Sequence, residues 1–265
     1  MNLDNNYLEY NKKAWNDKVQ YHVESEFYSH SEFLKGQTSL KKIELDLLGD
    51  VSGKKILHVQ CHFGQDTISL ARMGAETVGV DFSEDAIRVA KEAAAITNAN
   101  ARFICCDVYS LPENLNETFD IVFTSYGTIG WLPDLDKWAK VVSRFLKPGG
   151  TFVFAEFHPV VWMFDGSFSR IEYAYLKDDA IVEAEEGTYA DSDAPLKNTT
   201  VNWNHGLSEV ISRLLQNGLT LTDFKEYDYS PYNCFSGMDE FEKGKFRIEK
   251  LGRKLPMVYS LIMKK

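Results

Sequence analysis

The feature that most restricts the fold is an alternation that begins at Lys54. Short runs, apolar on both faces, are each followed by a longer amphipathic stretch. Residues 56–60, 77–80, 102–106, 119–124 and 151–156 read as strands, and residues 65–73, 84–97 and 135–146 as helices between them. Ser83 is placed to cap the second helix, and Lys147-Pro148-Gly149-Gly150 supplies turn chemistry that stops the third. A strand that is apolar all round cannot turn a face to water. Such strands belong in a parallel sheet with helices on both sides. The expectation is an α/β fold built on a parallel sheet covered on both faces.

The flanking sequence departs from this alternation. Residues 7–21 and 39–48 read as helices, the second with Leu40, Ile43, Leu47 and Leu48 at helical spacing, and Phe27, Tyr28 and Phe33 form an aromatic connector. After Phe157 the helices lapse, and 171–176, 180–184 and 200–203 read as β-like pieces of an antiparallel insertion. Helix returns at 207–216, ended by Asn217-Gly218. A strand at 219–227, a long loop and a last strand at 257–263 follow, the two strands suggesting an antiparallel pair at one sheet edge. This divides the chain into an N-terminal helical lid, 1–50, and one domain, 51–265, with an insertion at about 158–205.

Composition narrows the partners. The formal charge is −10, a poor match for a nucleic acid held largely through phosphates. The locally basic run from Lys243 to Lys254 reads as a solvated loop. No segment approaches the roughly 18–20 apolar residues of a membrane span, and the polar start Met1-Asn2-Leu3-Asp4 lacks an export pattern. The expectation is a cytoplasmic protein with no membrane or nucleic-acid partner. Cys61, Cys105, Cys106 and Cys234 fit neither a disulfide framework nor a metal site, and Cys105 and Cys106, in an apolar strand, read as reduced core-packing residues. Nothing in the sequence fixes an oligomeric state.

An open parallel sheet binds its ligand beyond the carboxyl ends of its strands, near the point where strand order reverses. The first such loop runs Gln60-Cys61-His62-Phe63-Gly64, with Gly64 allowing close backbone approach. The second strand ends at Asp81, whose carboxylate can accept from both hydroxyls of an adenosine ribose, beside Phe82 as a flat face for a purine. The third ends at Asp107, suited to an adenine amine, next to Val108; Ser125 ends the fourth. Each residue also has an ordinary structural reading as a cap or turn. Together, in this order, they point to a nucleoside.

The stretch from Lys54 to Leu146 resembles the core of class I S-adenosylmethionine-dependent methyltransferases. The resemblance rests on the acidic end of strand two, the Asp ending strand three, Phe119-Asp120-Ile121-Val122, and Leu146-Lys147-Pro148-Gly149-Gly150. It implies a Rossmann-like seven-stranded sheet with helices on both faces and the last strand antiparallel. It also implies S-adenosylmethionine as cofactor and methyl transfer to a small-molecule acceptor. The first loop departs from the family's usual Asp/Glu-x-Gly-x-Gly-x-Gly: His58 stands in place of the acid, and Gln60 and His62 in place of two glycines. In this it resembles a bacterial subgroup whose loop reads Leu-Gln-Cys-His-Phe-Gly. The cofactor set is then Gln60, His62, Gly64, Asp81, Phe82, Asp107, Val108 and Ser125.

Methyl transfer from a sulfonium asks the protein mainly to align donor and acceptor, worth on the order of 7–11 kcal/mol. A general base is optional. Tyr126 after strand four and His158 after strand five are the candidate catalytic residues, with His205 a further candidate base. Trp15, Tyr21, Tyr28, Trp131, Trp162, Phe164, Tyr229, Tyr232 and Phe235 are candidate aromatic walls, each also readable as packing. No metal-ligand spacing is present. Two other readings stay open: a nicotinamide-dependent oxidoreductase, which shares the acid ending strand two, and a non-catalytic sensor of the same cofactor.

Overall fold

The computed structural model describes residues 6–265. Five parallel strands form its centre: β1 (Lys55–Val59), β2 (Glu76–Asp81), β3 (Ala101–Cys105), β4 (Phe119–Ser125) and β5 (Leu146–Phe157). Two more, β8 (Thr220–Tyr227) and β11 (Val258–Lys264), complete a seven-stranded sheet in the order β3-β2-β1-β4-β5-β11-β8. β11 lies between β5 and β8 and runs antiparallel to both. Order reverses between β1 and β4, which opens a crevice at the carboxyl ends of those two strands.

Helices cover the sheet as the apolar runs require: α4 (Gln65–Arg72), α5 (Glu84–Thr97), α7 (Leu135–Phe145) and α8 (Leu207–Gln216). Ser83 Oγ accepts from Ala86 N at 3.1 Å and starts α5; Asp134 Oδ1 accepts from Asp136 N and Lys137 N and starts α7. The largest core cluster joins Leu57, Val122, Phe152 and Phe154 of the sheet to Trp138 and Val142 of α7 and Leu214 of α8. Two of the sequence motifs meet at the opposite end of the sheet from the crevice. Asp120 accepts from Lys55 N at 2.9 Å and pairs with Lys147 Nζ at 2.8 Å. They stitch the amino ends of β1, β4 and β5, a structural role.

Three expectations are corrected. Residues 171–176 form no strand; one isolated bridge, Phe164 to Ile171, stands there instead. The other two expected pieces of the insertion do pair, as the antiparallel strands β6 (Ile181–Glu186) and β7 (Lys197–Asn202). The supposed long loop before β11 contains a hairpin, β9 (Met238–Glu242) and β10 (Lys245–Ile248). Cys105 is exposed and Cys106 only half-buried, because β3 is an edge strand, whereas Cys61 is buried. The aromatic connector also carries a short helix, α2 (His30–Leu34). No described helix is long and apolar enough to cross a membrane.

The N-terminal helices α1 (Tyr7–Glu24) and α3 (Lys42–Leu48) are bound to the body at defined points. The buried Asn11 amide forms a reciprocal pair with the Val201 backbone: Nδ2 donates to the carbonyl at 2.7 Å, and Oδ1 accepts from N–H at 2.9 Å. Lys18 pairs with Glu185 of β6, and the Tyr28 and Tyr189 hydroxyls are hydrogen-bonded to each other. Helix α1 and the β6–β7 pair therefore form one roof. Asn11→Ala leaves two buried backbone groups of Val201 without partners, and should cost about 2–3 kcal/mol. A lowered urea midpoint at unchanged slope is the expected result; an unchanged midpoint means that the pair contributes nothing.

Candidate functional site

Between roof and sheet lies a cavity of about 620 Å³ at the carboxyl ends of the strands, within the usual range of small-molecule sites. Its floor is the first loop, the end of β2 and the segment after β4; α1, the aromatic connector and the β6–β7 pair close it above.

The first loop takes an unusual path for its residue types. Gln60 and His62 have φ of +59° and +51°, and Gly64 follows at +78°. A side chain in this left-handed region costs roughly 1–2 kcal/mol. The loop thus keeps a course suited to glycine while placing two polar side chains against the cavity. Gln60 Nε2 donates to Thr128 O at 2.8 Å, and its Oε1 is buried with no partner among the described residues. His62 packs against Trp15 and Phe63, with its Nε2 3.4 Å from His22 Nδ1. Burial takes His22 down to about 3 and holds His62 well below the ordinary histidine range. Both imidazoles are therefore neutral at pH 7. At Gly64 an added Cβ would lie 2.6 Å from the Phe103 ring, so only glycine fits. His58 is buried with Nδ1 2.8 Å from Thr67 Oγ1 and does not reach beyond the β1–α4 packing in any hydrogen bond.

Asp81 sits at the end of β2. One oxygen accepts from His62 N at 2.8 Å and the other from Ser83 N at 3.0 Å, and burial raises its carboxyl to about 6. Each oxygen keeps a further lone pair for a ligand. Phe82 shares the cavity wall. Asp107 and Val108 line a second, narrow space of about 30 Å³ that also borders Gln60, Asp81 and Phe82. That space admits a water or two and no ring. It is covered by Tyr7, Leu8 and Asn11 from the start of α1. Asp107 Oδ2 accepts from Tyr109 N at 3.0 Å.

On the other side of the first loop stand Ser125 and Tyr126. Tyr126 has φ of +43° and its hydroxyl donates to Glu44 Oε2 at 3.1 Å. Glu44 of α3 is fully buried, and burial, assisted by the nearby Asp66 charge, raises it to about 7. Glu156 shapes the same segment by accepting from Thr128 N at 2.8 Å, Thr128 Oγ1 at 2.9 Å and Phe157 N at 2.7 Å. Its carboxylate is engaged by these donors.

The two candidate catalytic residues separate. Tyr126 lines the cavity. His158 does not: its Nδ1 accepts from Val160 N at 3.2 Å, so Nε2 carries the proton toward Glu226 at 3.0 Å. With Nδ1 taken by the backbone of its own turn and Nε2 by Glu226 of β8, neither ring nitrogen of His158 is directed to the cavity. His205 does border the cavity, but its ring is held between Leu132 O at 2.8 Å and Glu209 at 3.0 Å. Of the aromatic candidates, Trp15, Tyr28, Trp131, Trp162, Tyr232 and Phe235 line the cavity, while Tyr21, Phe164 and Tyr229 do not. Sequence reasoning missed Glu44, Asp66, Lys41 and Tyr189. Glu44 lies in an amphipathic helix where a carboxylate reads as solvent-facing, and Tyr189 in an insertion with no periodicity. Among the described residues, no group of three or more His, Cys, Asp or Glu is placed to hold a metal ion.

Residues 56–150 match a family model described as a methyltransferase domain. An uncharacterized methyltransferase of Synechocystis is 34% identical over 131 residues, 49% of this chain and 59% of that protein. A ubiquinone biosynthesis O-methyltransferase of Coxiella burnetii is 34% identical over 116 residues, 44% of this chain and 48% of that protein. The match thus spans about half the length of these curated relatives. An S-adenosylmethionine-dependent methyltransferase from Mesorhizobium loti superposes with a TM-score of 0.59 at 20% identity, over 88% of this chain and 100% of that one. That likeness is one of fold.

Glu44 gives a pH prediction with a definite sign. In the folded protein it holds its proton up to about 7, while the unfolded chain releases it near 4.3. Its contribution is therefore full below the unfolded value and lost as pH rises through about 7. Relative to Glu44→Gln, the native protein should lose roughly 3 kcal/mol of stability between acid and mildly alkaline pH. Urea unfolding of both proteins at pH 4 and 8 measures this; parallel pH dependence would refute it.

Proposed function

We propose that this protein transfers a methyl group from S-adenosylmethionine to a small-molecule acceptor. The observation that carries the reading is the row of groups on adjacent strand ends: Asp107 on β3, Asp81 on β2, the first loop on β1 and Ser125 on β4. The buried, unpartnered Gln60 Oε1 at the junction of the two cavities supports a polar ligand there. Asp81 would accept from the ribose hydroxyls, with Phe82 against the purine. Asp107 and Val108 would border the adenine, and Gln60, His62 and Gly64 the sulfur end.

Bound S-adenosylmethionine supplies a methyl group already attached to a sulfonium leaving group. The chain's own part is to orient and to exclude water. Trp15, Trp131, Tyr126 and Tyr232 give the cavity apolar walls compatible with a sulfonium charge. Tyr126 is the candidate catalytic residue, its hydroxyl donating to Glu44 and its oxygen left to accept from a methyl acceptor. The enclosed volume favours a small acceptor. The narrowness of the Asp107 end gives residues 1–50 the part of a lid, since a purine there displaces the first turn of α1 carrying Tyr7 and Leu8.

Thermal shifts with S-adenosylmethionine, S-adenosylhomocysteine and NAD in parallel test the reading. A ligand at 100 times its dissociation constant adds about 2.7 kcal/mol, and both adenosyl ligands should give a shift that Asp81→Asn removes. A shift with NAD alone would overturn the proposal. Release of S-adenosylhomocysteine in the presence of a small-metabolite pool then separates an enzyme from a sensor.

A further inference from the structure

Two opposite charges face the large cavity without a charged partner. Asp66, on the first turn of α4, has only serine hydroxyls beside its carboxyl, Ser39 and Ser125, the latter at 3.5 Å, the outer limit for a hydrogen bond. Lys41, just before α3, holds its ammonium 5.1 Å from the centre of the Tyr232 ring. Among the described residues no carboxylate oxygen comes within 4.0 Å of it, so it is not bonded to Asp66. The other cavity charges are engaged: Lys18 with Glu185, Asp81 and Glu156 with backbone N–H groups, Glu183 with Tyr173 and Asn202. An isolated buried carboxylate is costly, and burial accordingly pushes the Asp66 carboxyl up, against the opposing pull of the Ser39 hydroxyl and the Lys41 ammonium.

Position says what this pair would take. Along the sheet order β3-β2-β1-β4, Asp107 and Asp81 stand on one side of the first loop, and Ser125 with Asp66 on the other. A ligand whose adenosine lies on Asp107 and Asp81 therefore extends its far end toward Asp66 and Lys41. We propose that Asp66 and Lys41 form a clamp for the α-amino acid end of the cofactor, Asp66 accepting from its ammonium and Lys41 donating to its carboxylate. The clamp rests on the methyltransferase reading above. It explains why the two charges share a cavity yet stay apart: the zwitterion supplies one partner for each. Until then the Tyr232 ring holds the lysine.

Two ligands separate the amino acid end from the rest. S-adenosylhomocysteine carries it; methylthioadenosine has the same adenosine and thioether without it. Isothermal titration of the full chain should show Asp66→Asn and Lys41→Gln each weakening S-adenosylhomocysteine by about 10–100-fold, with methylthioadenosine affinity unchanged. If S-adenosylhomocysteine binds the variants as tightly as it binds the native protein, the clamp is refuted and the two charges serve another ligand. Equal loss of both ligands also refutes it, since that marks a structural role. If the native protein binds neither ligand, the methyltransferase reading falls, and the clamp with it.

Discussion

The carboxylate of Asp81 is the tie on which the site depends. By accepting from His62 N and Ser83 N it joins the loop after β1 to the turn after β2. The first bond holds His62 in a left-handed conformation that its side chain disfavours. The second fixes the approach to α5, whose own cap is the hydroxyl of the same serine. The crevice between β1 and β4 then has a floor with a fixed shape, onto which the first loop projects Gln60 and His62. The same carboxylate still has lone pairs to offer a ligand, so one group both builds the floor and serves it.

The central sheet was legible because its strands are buried on both faces, which leaves a signal in composition alone. The positions of Asp81 and Asp107 followed from the strand ends. The hairpin β9–β10 was not legible: its residues alternate with charges, and Met238–Glu242 is largely exposed, so no apolar run marks it. His158 misled for a related reason. A histidine after a central strand stands near the ligand face, but the edge strand β8, one strand beyond β11, supplies Glu226, and the ring turns to it. Glu44 and Asp66 were hidden because a helical carboxylate usually faces water. Here both helices present that side to the cavity region, and only the tertiary arrangement shows it.

The roof depends on a different kind of contact. Where the floor is secured by backbone geometry, the roof is secured by side chains that cross long stretches of sequence: Asn11 to Val201, Lys18 to Glu185, Tyr28 to Tyr189. Polar pairs of this sort hold one arrangement firmly when complete and little when broken, because each half is left unsatisfied.

The Asn11–Val201 pair also has a consequence for the growing chain. Its halves are 190 residues apart. At typical elongation rates of roughly 5–20 residues per second, α1 leaves the ribosome many seconds before the backbone that receives it exists. During that interval the strands from β1 to β5 can assemble with local partners. The N-terminal helix has to wait with its buried face exposed. The contact that seats α1 on the insertion is accordingly made late in a newly made molecule, when its oldest segment meets one of its younger ones.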